Sequence, residues 1–396
     1  MRLPLDSFQF EISGKCNALC PYCITGQKNR RKEETGYFID PTLFSNAIDH
    51  LLENGIIDHG SIVSLYNYGE PFLHPKFDEI IDILNNRKIK YEISTNASVI
   101  PDEKTIKKMF GLTKIQFSVC GSSQESYARI HGLSYTKTHN NIKRMVSLLH
   151  SYYPHIECIL KLQMYRFNEN EFNEALEFAI SNSMNVIPLH AIYANLQQQL
   201  EFIEKFKRCG ANTESSDHLW YYLPKLLDGP KHMKCPQWDS MVIDEEQNVA
   251  LCCMVTKDMR EYKISDVYTV DKSILESRRN NVFCEKCLSS GTARSICDTP
   301  SYRKGIYYNE IFDGLSADDI VVFGNSPLSS SFRNMYPNYR CSPSADKEEL
   351  YAYVKKGKFI IVADRYWWTK MDVLEELDLV EKKDFIIYNT YLRGEV

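Results

Sequence analysis

Lys15-Cys16-Asn17-Ala18-Leu19-Cys20-Pro21-Tyr22-Cys23, followed at once by Ile24-Thr25-Gly26-Gln27, sets three cysteines in a C-x3-C-x2-C spacing. That spacing fits neither one helical stripe nor one strand face, so the thiols converge from a loop. Loops that gather thiolates usually hold metal: zinc, Cu(I) and iron-sulfur clusters all take thiolate ligands, and a closed structural zinc site needs four of them. Here the local count stops at three. An iron-sulfur cube held by three thiolates keeps one iron open to a substrate or cofactor.

Bulk composition narrows the setting. The chain has 396 residues, which allows two or three domains. Its formal charge is −5, with 47 basic and 52 acidic residues mixed along its length, so no footprint for nucleic acid appears and no nucleic-acid partner is expected. Met1 to Ser7 lacks an apolar signal core and no apolar run is long enough to span a bilayer, so a cytoplasmic protein without a membrane partner is expected. In that reducing setting 13 cysteines argue for metal or redox chemistry rather than disulfides.

Outward from the loop the pattern is repetitive. Phe8, Phe10 and Ile12 alternate with Gln9, Glu11 and Ser13, a strand ending just before the cysteines. Further strands are read at Ser61 to Asn67, Tyr91 to Thr95, Lys114 to Cys120, Ile156 to Tyr165 and Asn185 to Ala191, with helices near Pro41 to Asn54, Pro75 to Asn86, Asp102 to Met109, Thr136 to Ser151 and Glu171 to Ser181. Such β-α repeats imply parallel strands joined by right-handed crossovers. Parity puts Glu92, Ser94 and Asn96 on one face, Gln116, Ser118 and Cys120 on another, and Lys161 with Gln163 on a third. Polar residues recurring near strand C-terminal ends read as a lined cavity, and a lysine inside an apolar run is costly unless paired or bound to a ligand.

The loop resembles that of the radical S-adenosylmethionine (SAM) enzymes, whose motif is C-x3-C-x-aromatic-C, with Tyr22 as the aromatic. The resemblance implies an α/β fold built on a partial (β/α)6 barrel at 1–195. It also implies a 4Fe-4S cluster held by Cys16, Cys20 and Cys23, SAM as cofactor, and an electron donor such as flavodoxin or ferredoxin as partner. Tyr68-Gly69-Glu70-Pro71 looks like the family's G-G-E-P motif, with Tyr68 in place of the first glycine, and assigns Gly69 and Glu70 to the SAM ammonium. Ser94-Thr95-Asn96 is similar to the segment that approaches the SAM ribose and methionine portions. Ser118-Val119-Cys120-Gly121 matches S-x-D-G with Cys120 replacing the aspartate. The usual arginine for the SAM carboxylate is displaced, and Lys161 is expected to supply that charge instead.

Past a charged helical bridge, 196–230, comes a second group: Cys235, the pair Cys252-Cys253, and Cys284-Glu285-Lys286-Cys287. Strands Met241 to Asp244 and Val249 to Cys253 form a hairpin that brings Cys235 towards Cys252 or Cys253. By chemistry alone four thiolates equally suit structural zinc. Behind a radical SAM barrel the arrangement resembles the SPASM/twitch extension, here 231–305, and implies one auxiliary 4Fe-4S cluster on Cys235, Cys252, Cys284 and Cys287. Strand alternation turns Cys253 away, and Cys297 is read as structural. Buried strands at Asp319 to Pro327, Lys358 to Ala363 and Asp384 to Tyr388, with helices at Ser329 to Met335 and Trp368 to Leu377, suggest a Rossmann-like domain at 310–396. It lacks the G-x-G-x-x-G of a dinucleotide site.

The chemistry implied is reductive cleavage of SAM and hydrogen-atom abstraction from substrate, leading to oxidation or to epimerisation, with Cys120 a candidate hydrogen donor. Little chain precedes Cys16, so no leader-binding domain is expected there, which favours a small-molecule substrate such as a sugar or nucleotide-linked sugar. Peptide modification is the alternative, and a non-catalytic metal-bound scaffold the reading from a different class.

Overall fold

The computed structural model describes residues 3–191, 193–209, 235–290 and 292, with the C-terminal stretches 316–324, 340–342, 347–362, 373–374, 376–380 and 383–387. Six parallel strands lie side by side in chain order: β1 (Ser7–Phe10), β2 (Ile62–Ser64), β3 (Lys90–Thr95), β4 (Leu112–Val119), β5 (Glu157–Met164) and β6 (Asn185–His190). Alternation decides their faces. Phe8 and Phe10 of β1, Tyr91 and Ile93 of β3, and Ile115 and Phe117 of β4 are buried under the helices. Glu92, Ser94, Ser118 and Lys161, half-buried, take the opposite face.

The covering helices are specified locally. Helix α2 (Pro41–Glu53) follows α1 (Ile24–Arg31) and starts at Asp40, whose carboxylate accepts from the Thr42 amide at 2.8 Å, with proline at the first turn. Its stripe Phe44, Ala47, Ile48 and Leu51 recurs at helical spacing and is buried. Helix α3 (Phe77–Asn86) buries Ile80, Ile81 and Leu84 in the same core cluster. Burying such a leucine or isoleucine contributes roughly 1.5–3 kcal/mol, so these stripes fasten the helices to the sheet. Helix α4 (Glu103–Ile106) is shorter than its sequence pattern suggests.

Before residue 210, two helices escaped the sequence reading, α1 and α5 (Gln124–His131). The latter has a Ser123/Ser126 capping box and stops at Gly132, in the left-handed region at φ 66°. The long α6 (Tyr135–Tyr152), α7 (Phe172–Ser181) and α8 (Leu196–Cys209) complete the series. The rest of the expected bridge, 210–230, lies outside the described residues.

The cysteine hairpin extends this sheet. β7 (Val242–Ile243) pairs parallel with β1, Gln9 facing Val242 and Phe10 facing Ile243, and antiparallel with β8 (Asn248–Ala250). An unforeseen β9 (Lys263–Asp266) pairs with β8, giving the order β6-β5-β4-β3-β2-β1-β7-β8-β9. The second hairpin strand is shorter than expected, because the chain turns at Leu251 to Cys253. A separate parallel sheet, in the order β11-β10-β12-β13, is formed by β10 (Ile320–Phe323), β11 (Arg340–Ser342), β12 (Phe359–Val362) and β13 (Phe385–Ile387). All four residues of β10 are buried, as in a strand covered on both faces. The helix read at Ser329 to Met335 and most of that at Trp368 to Leu377 lie outside the described residues, as does Cys297.

Candidate active site

The cysteine loop is moulded around the start of α1. Asn29 Nδ2 donates to the carbonyls of Cys16 and Ala18, both at 2.8 Å, and the Arg30 guanidinium donates to that of Leu19. A β-carbon at Gly26 would collide with the backbone of Cys20, so α1 can approach the loop only with glycine there. Across the sheet Leu19 N donates to His131 O at 2.8 Å, and Cys20 Sγ lies 3.1 Å from His131 Nδ1. Burial holds that imidazole down to about 4, opposed by a bond to the Ser118 backbone, so it is neutral near pH 7. Burial, and next the negative charge of Glu70, push the Cys16 thiol up to about 12. These thiols keep their protons until a metal displaces them.

The Tyr68-Gly69-Glu70 turn meets the loop from β2. Tyr68 N and Gly69 N both donate to Glu11 Oε1 at 2.6 Å, and Glu70 N donates to Lys15 O at 2.7 Å. A β-carbon on Gly69 would overlap the Ser13 carbonyl oxygen, which explains the glycine. Tyr68, in the place of the family's first glycine, has its own task. Its hydroxyl bonds the carbonyls of Ala194 at 3.0 Å and Cys253 at 2.5 Å, tying the turn to the hairpin.

Glu70, 2% exposed, accepts from Thr95 Oγ1 at 2.7 Å, Asn96 N at 2.7 Å and Phe72 N at 3.2 Å. Burial raises its carboxyl to about 7 against the pull of those three donors.

One cavity of about 290 Å³ gathers Cys16, Cys20, Tyr22, Cys23, Gly69, Glu70, Ser94, Asn96, Ser118 and Lys161. Asn96 Nδ2 reaches Cys16 Sγ at 3.6 Å, and the hydroxyls of Ser94 and Ser118 are 3.4 Å apart. The Tyr22 carbonyl accepts from Ala194 N at 2.9 Å. Cys120 is not brought to the lining. β4 ends at Val119, the chain leaves through Gly121, and the thiol is wholly buried against Ala18, Cys20 and Tyr165. Gln9, Tyr66, Asn67, His131 and Ala194 also line the cavity and were not assigned to the site from the sequence, and Cys253, read there only as turned away from the second thiol group, lines it too. Only Gln9 carried a usable signal, its polar place in the alternation of β1.

A smaller cavity of about 30 Å³ is bordered by Cys235, Cys252, Cys284 and Cys287 together with Trp238, Leu251 and Phe283. The two halves of the Cys252-Cys253 pair therefore face different cavities. Cys284 Sγ points to the Arg278 carbonyl at 3.4 Å, and the buried Arg278 guanidinium bonds Ser240 O. The cysteines of the two groups, with Cys120 and Cys158, are free thiols. Among the described residues no three His, Cys, Asp or Glu side chains close around a single ion. The thiols instead border cavities, a donor set whose softness and grouping fit iron-sulfur clusters.

Behind the turn lies an acidic pocket. Lys257 Nζ contacts Asp244 at 3.3 Å, Glu245 at 2.9 Å and Glu246 at 3.2 Å. Burial, and then Glu245, raise Glu11 to about 8 from an ordinary 4.5. The folded protein thus keeps a proton that the unfolded chain releases, and stability from this group is present at low pH and lost as pH rises from about 4.5 to 8. Glu11→Gln, which can still accept from the two amides, is expected to flatten that decline. Chemical denaturation of both proteins between pH 5 and 8.5 reads it, and parallel slopes would refute it.

The comparisons agree with this geometry. Residues 10–179 match the model of the radical SAM superfamily. A probable GTP 3′,8-cyclase of Methanococcus maripaludis (strain C5) is 30% identical over 128 residues, 32% of this chain and 40% of that protein. An S-adenosylmethionine-dependent nucleotide dehydratase of Selenomonas ruminantium is 25% identical over 175 residues, 40% of this chain and 57% of that protein. The chain therefore matches less than two thirds of the length of these curated relatives. Streptococcus suis SuiB bound to its precursor peptide SuiA is 15% identical with a TM-score of 0.48, covering 79% of this chain and 74% of that one. Among the described residues no helix is long and apolar enough to cross a membrane. The stretch 10–179, with its three-thiol loop and the strand ends that face it, is a radical SAM superfamily domain, which implies a 4Fe-4S cluster and SAM.

Proposed function

We propose that the chain is a radical SAM enzyme with two iron-sulfur clusters, acting on a small molecule by hydrogen-atom abstraction, with oxidation or epimerisation as the outcome. What supports this reading is the division of eight cysteines between two cavities, four to each, with the neighbours Cys252 and Cys253 on different sides. Cys16, Cys20 and Cys23 would hold the first cluster; Cys235, Cys252, Cys284 and Cys287 the second. The cluster and SAM, when bound, supply one-electron cleavage and the abstraction that follows.

The chain's own part is positioning. With the Tyr68 and Gly69 amides both given to Glu11, the turn offers a ligand acceptors rather than donors, which suits the SAM ammonium. Asn96 is fixed by its amide bond to Glu70 and its side-chain bond to Asn17 Oδ1 at 3.0 Å, so it presents one rotamer beside the loop. Ser94 and Ser118 stand where the SAM ribose is expected. Two relatives are named for enzymes acting on nucleotides, which favours a nucleotide-bearing small molecule over a peptide.

Anaerobic reconstitution tests the reading: about eight irons per chain and reductant-dependent 5′-deoxyadenosine are expected. Cys284→Ser is expected to lose about four irons while still releasing 5′-deoxyadenosine. Zinc in place of iron, with no SAM turnover, would refute it.

A further inference from the structure

The cavity contains an arc of polar groups that neither the cysteine loop nor the Glu70 turn uses. Lys161 points into it from β5, opposite Ser118 of β4 in the register of the sheet. The charges acting on its ammonium are those of Cys253 and Lys114, and no carboxylate of the described residues is among them. Lys114, one strand away, is satisfied by Glu92 at 2.9 Å. The same lining holds three side-chain amides with buried atoms that have no hydrogen-bond partner among the described residues: Gln9 Oε1, Asn67 Nδ2 and Gln163 Oε1.

A half-buried ammonium without a carboxylate counter-ion and three orphaned amide atoms are each unfavourable alone. They are explained together if a ligand completes them. With the family's usual arginine displaced, the sequence reading expects Lys161 at the SAM carboxylate, yet neither the three loop cysteines nor Glu70 figures among the charges acting on it. Gln9, Asn67 and Gln163, which share the lining with it, have no part assigned to them in holding SAM.

We propose that this arc is the substrate subsite, taking a small molecule that bears an oxyanion, phosphate or carboxylate, at Lys161, with hydroxyl or amide groups meeting Gln9, Asn67 and Gln163. The inference rests on the small-molecule reading above. Burial lowers the basicity of Lys161 in the empty cavity, and an oxyanion restores it. The mixed pattern of two acceptors and one donor selects a hydroxyl-rich or base-bearing body over an apolar one.

The test is calorimetric titration of the reconstituted, SAM-saturated full chain with inorganic phosphate, with sodium acetate, and with sodium chloride at matched ionic strength. Saturable binding of phosphate or acetate, whichever group the site prefers, is expected, with chloride giving none. Lys161→Met should weaken that binding at least tenfold, Lys161→Arg by threefold or less, and neither should move SAM affinity more than twofold. The arginine variant guards against a folding defect. Absence of saturable oxyanion binding, binding indifferent to Lys161→Met, or a loss confined to SAM affinity would each overturn the proposal, the last by returning the lysine to SAM. Failure of the radical SAM reading shows separately, as wild-type protein that neither binds SAM nor releases 5′-deoxyadenosine. The oxyanion titration is then read on the same protein without SAM.

Discussion

Cys20→Ser is expected to cut SAM cleavage by more than about 100-fold, since altering residues that merely support a metal ligand already costs 10–100-fold. Iron content should fall by about four per chain. Cys20 is the deepest of the three thiols, 6% exposed, and is packed against Ala18, Tyr165 and the neutral His131 ring. Serine keeps the volume nearly constant, which limits the structural damage. Its hydroxyl ionises far less readily than a thiol and is a poor ligand for iron. Iron analysis and the visible absorption of the reconstituted variant, beside a 5′-deoxyadenosine assay, check the expectation. A variant with full iron and wild-type turnover would remove the first cluster from the Cys16 to Cys23 loop.

The second large effect is expected at Gly69. Its missing β-carbon is where the Ser13 carbonyl oxygen lies, and neither group can give way cheaply. Ser13 leads into the cysteine loop, with its hydroxyl bonded to Lys15 O at 3.0 Å, while Gly69 is held by Glu11. Gly69→Ala must therefore push the Glu70 turn away from the loop. The bond from Glu70 N to Lys15 O at 2.7 Å stretches, and the three donors on the Glu70 carboxylate are strained with it. A loss of about 2–4 kcal/mol in stability is expected, in the range of overpacking plus a disturbed buried hydrogen bond. SAM affinity should drop by more than about tenfold, because even 1.4 kcal/mol of misplacement is a factor of ten. Thermal unfolding and SAM titration of the variant measure the two separately. Unchanged SAM affinity in a folded Gly69→Ala protein would show that this turn does not contact SAM.

The sheet and the first thiol group were legible because both are written locally. Alternation in β1, β3 and β5 is a period-2 signal, and the three cysteines are close in sequence. The shared strand-end cavity followed from parity at Ser94, Ser118 and Lys161. Cys120 obeyed the same parity on paper, but alternation stops where a strand stops, and β4 gives out one residue earlier. What was not legible depended on pairing across long stretches of chain. Nothing near Phe8 announces that Val242 will lie beside it, and β9 and β11 are short strands whose partners alone define them. Asn67 and Ala194 enter the cavity lining from separate parts of the chain outside any local pattern, so no local motif could have named them. Helix α5 was missed although its start carries serines suited to capping and its end a glycine, a signal present but overshadowed by the strand before it.

The pairing of β7 with β1 has a consequence in time. A chain leaving the ribosome can form β1 and its loop early, but one edge of β1 waits for Val242 and Ile243 before it is covered. Until then the strand that carries the thiols into place has an unsatisfied side, and the loop rests on a half-supported base. The free edge of β1 is therefore covered by the same hairpin that leads into Cys252 and Cys253. The sheet edge beneath the first thiol group and the second thiol group are thus set by one stretch of chain.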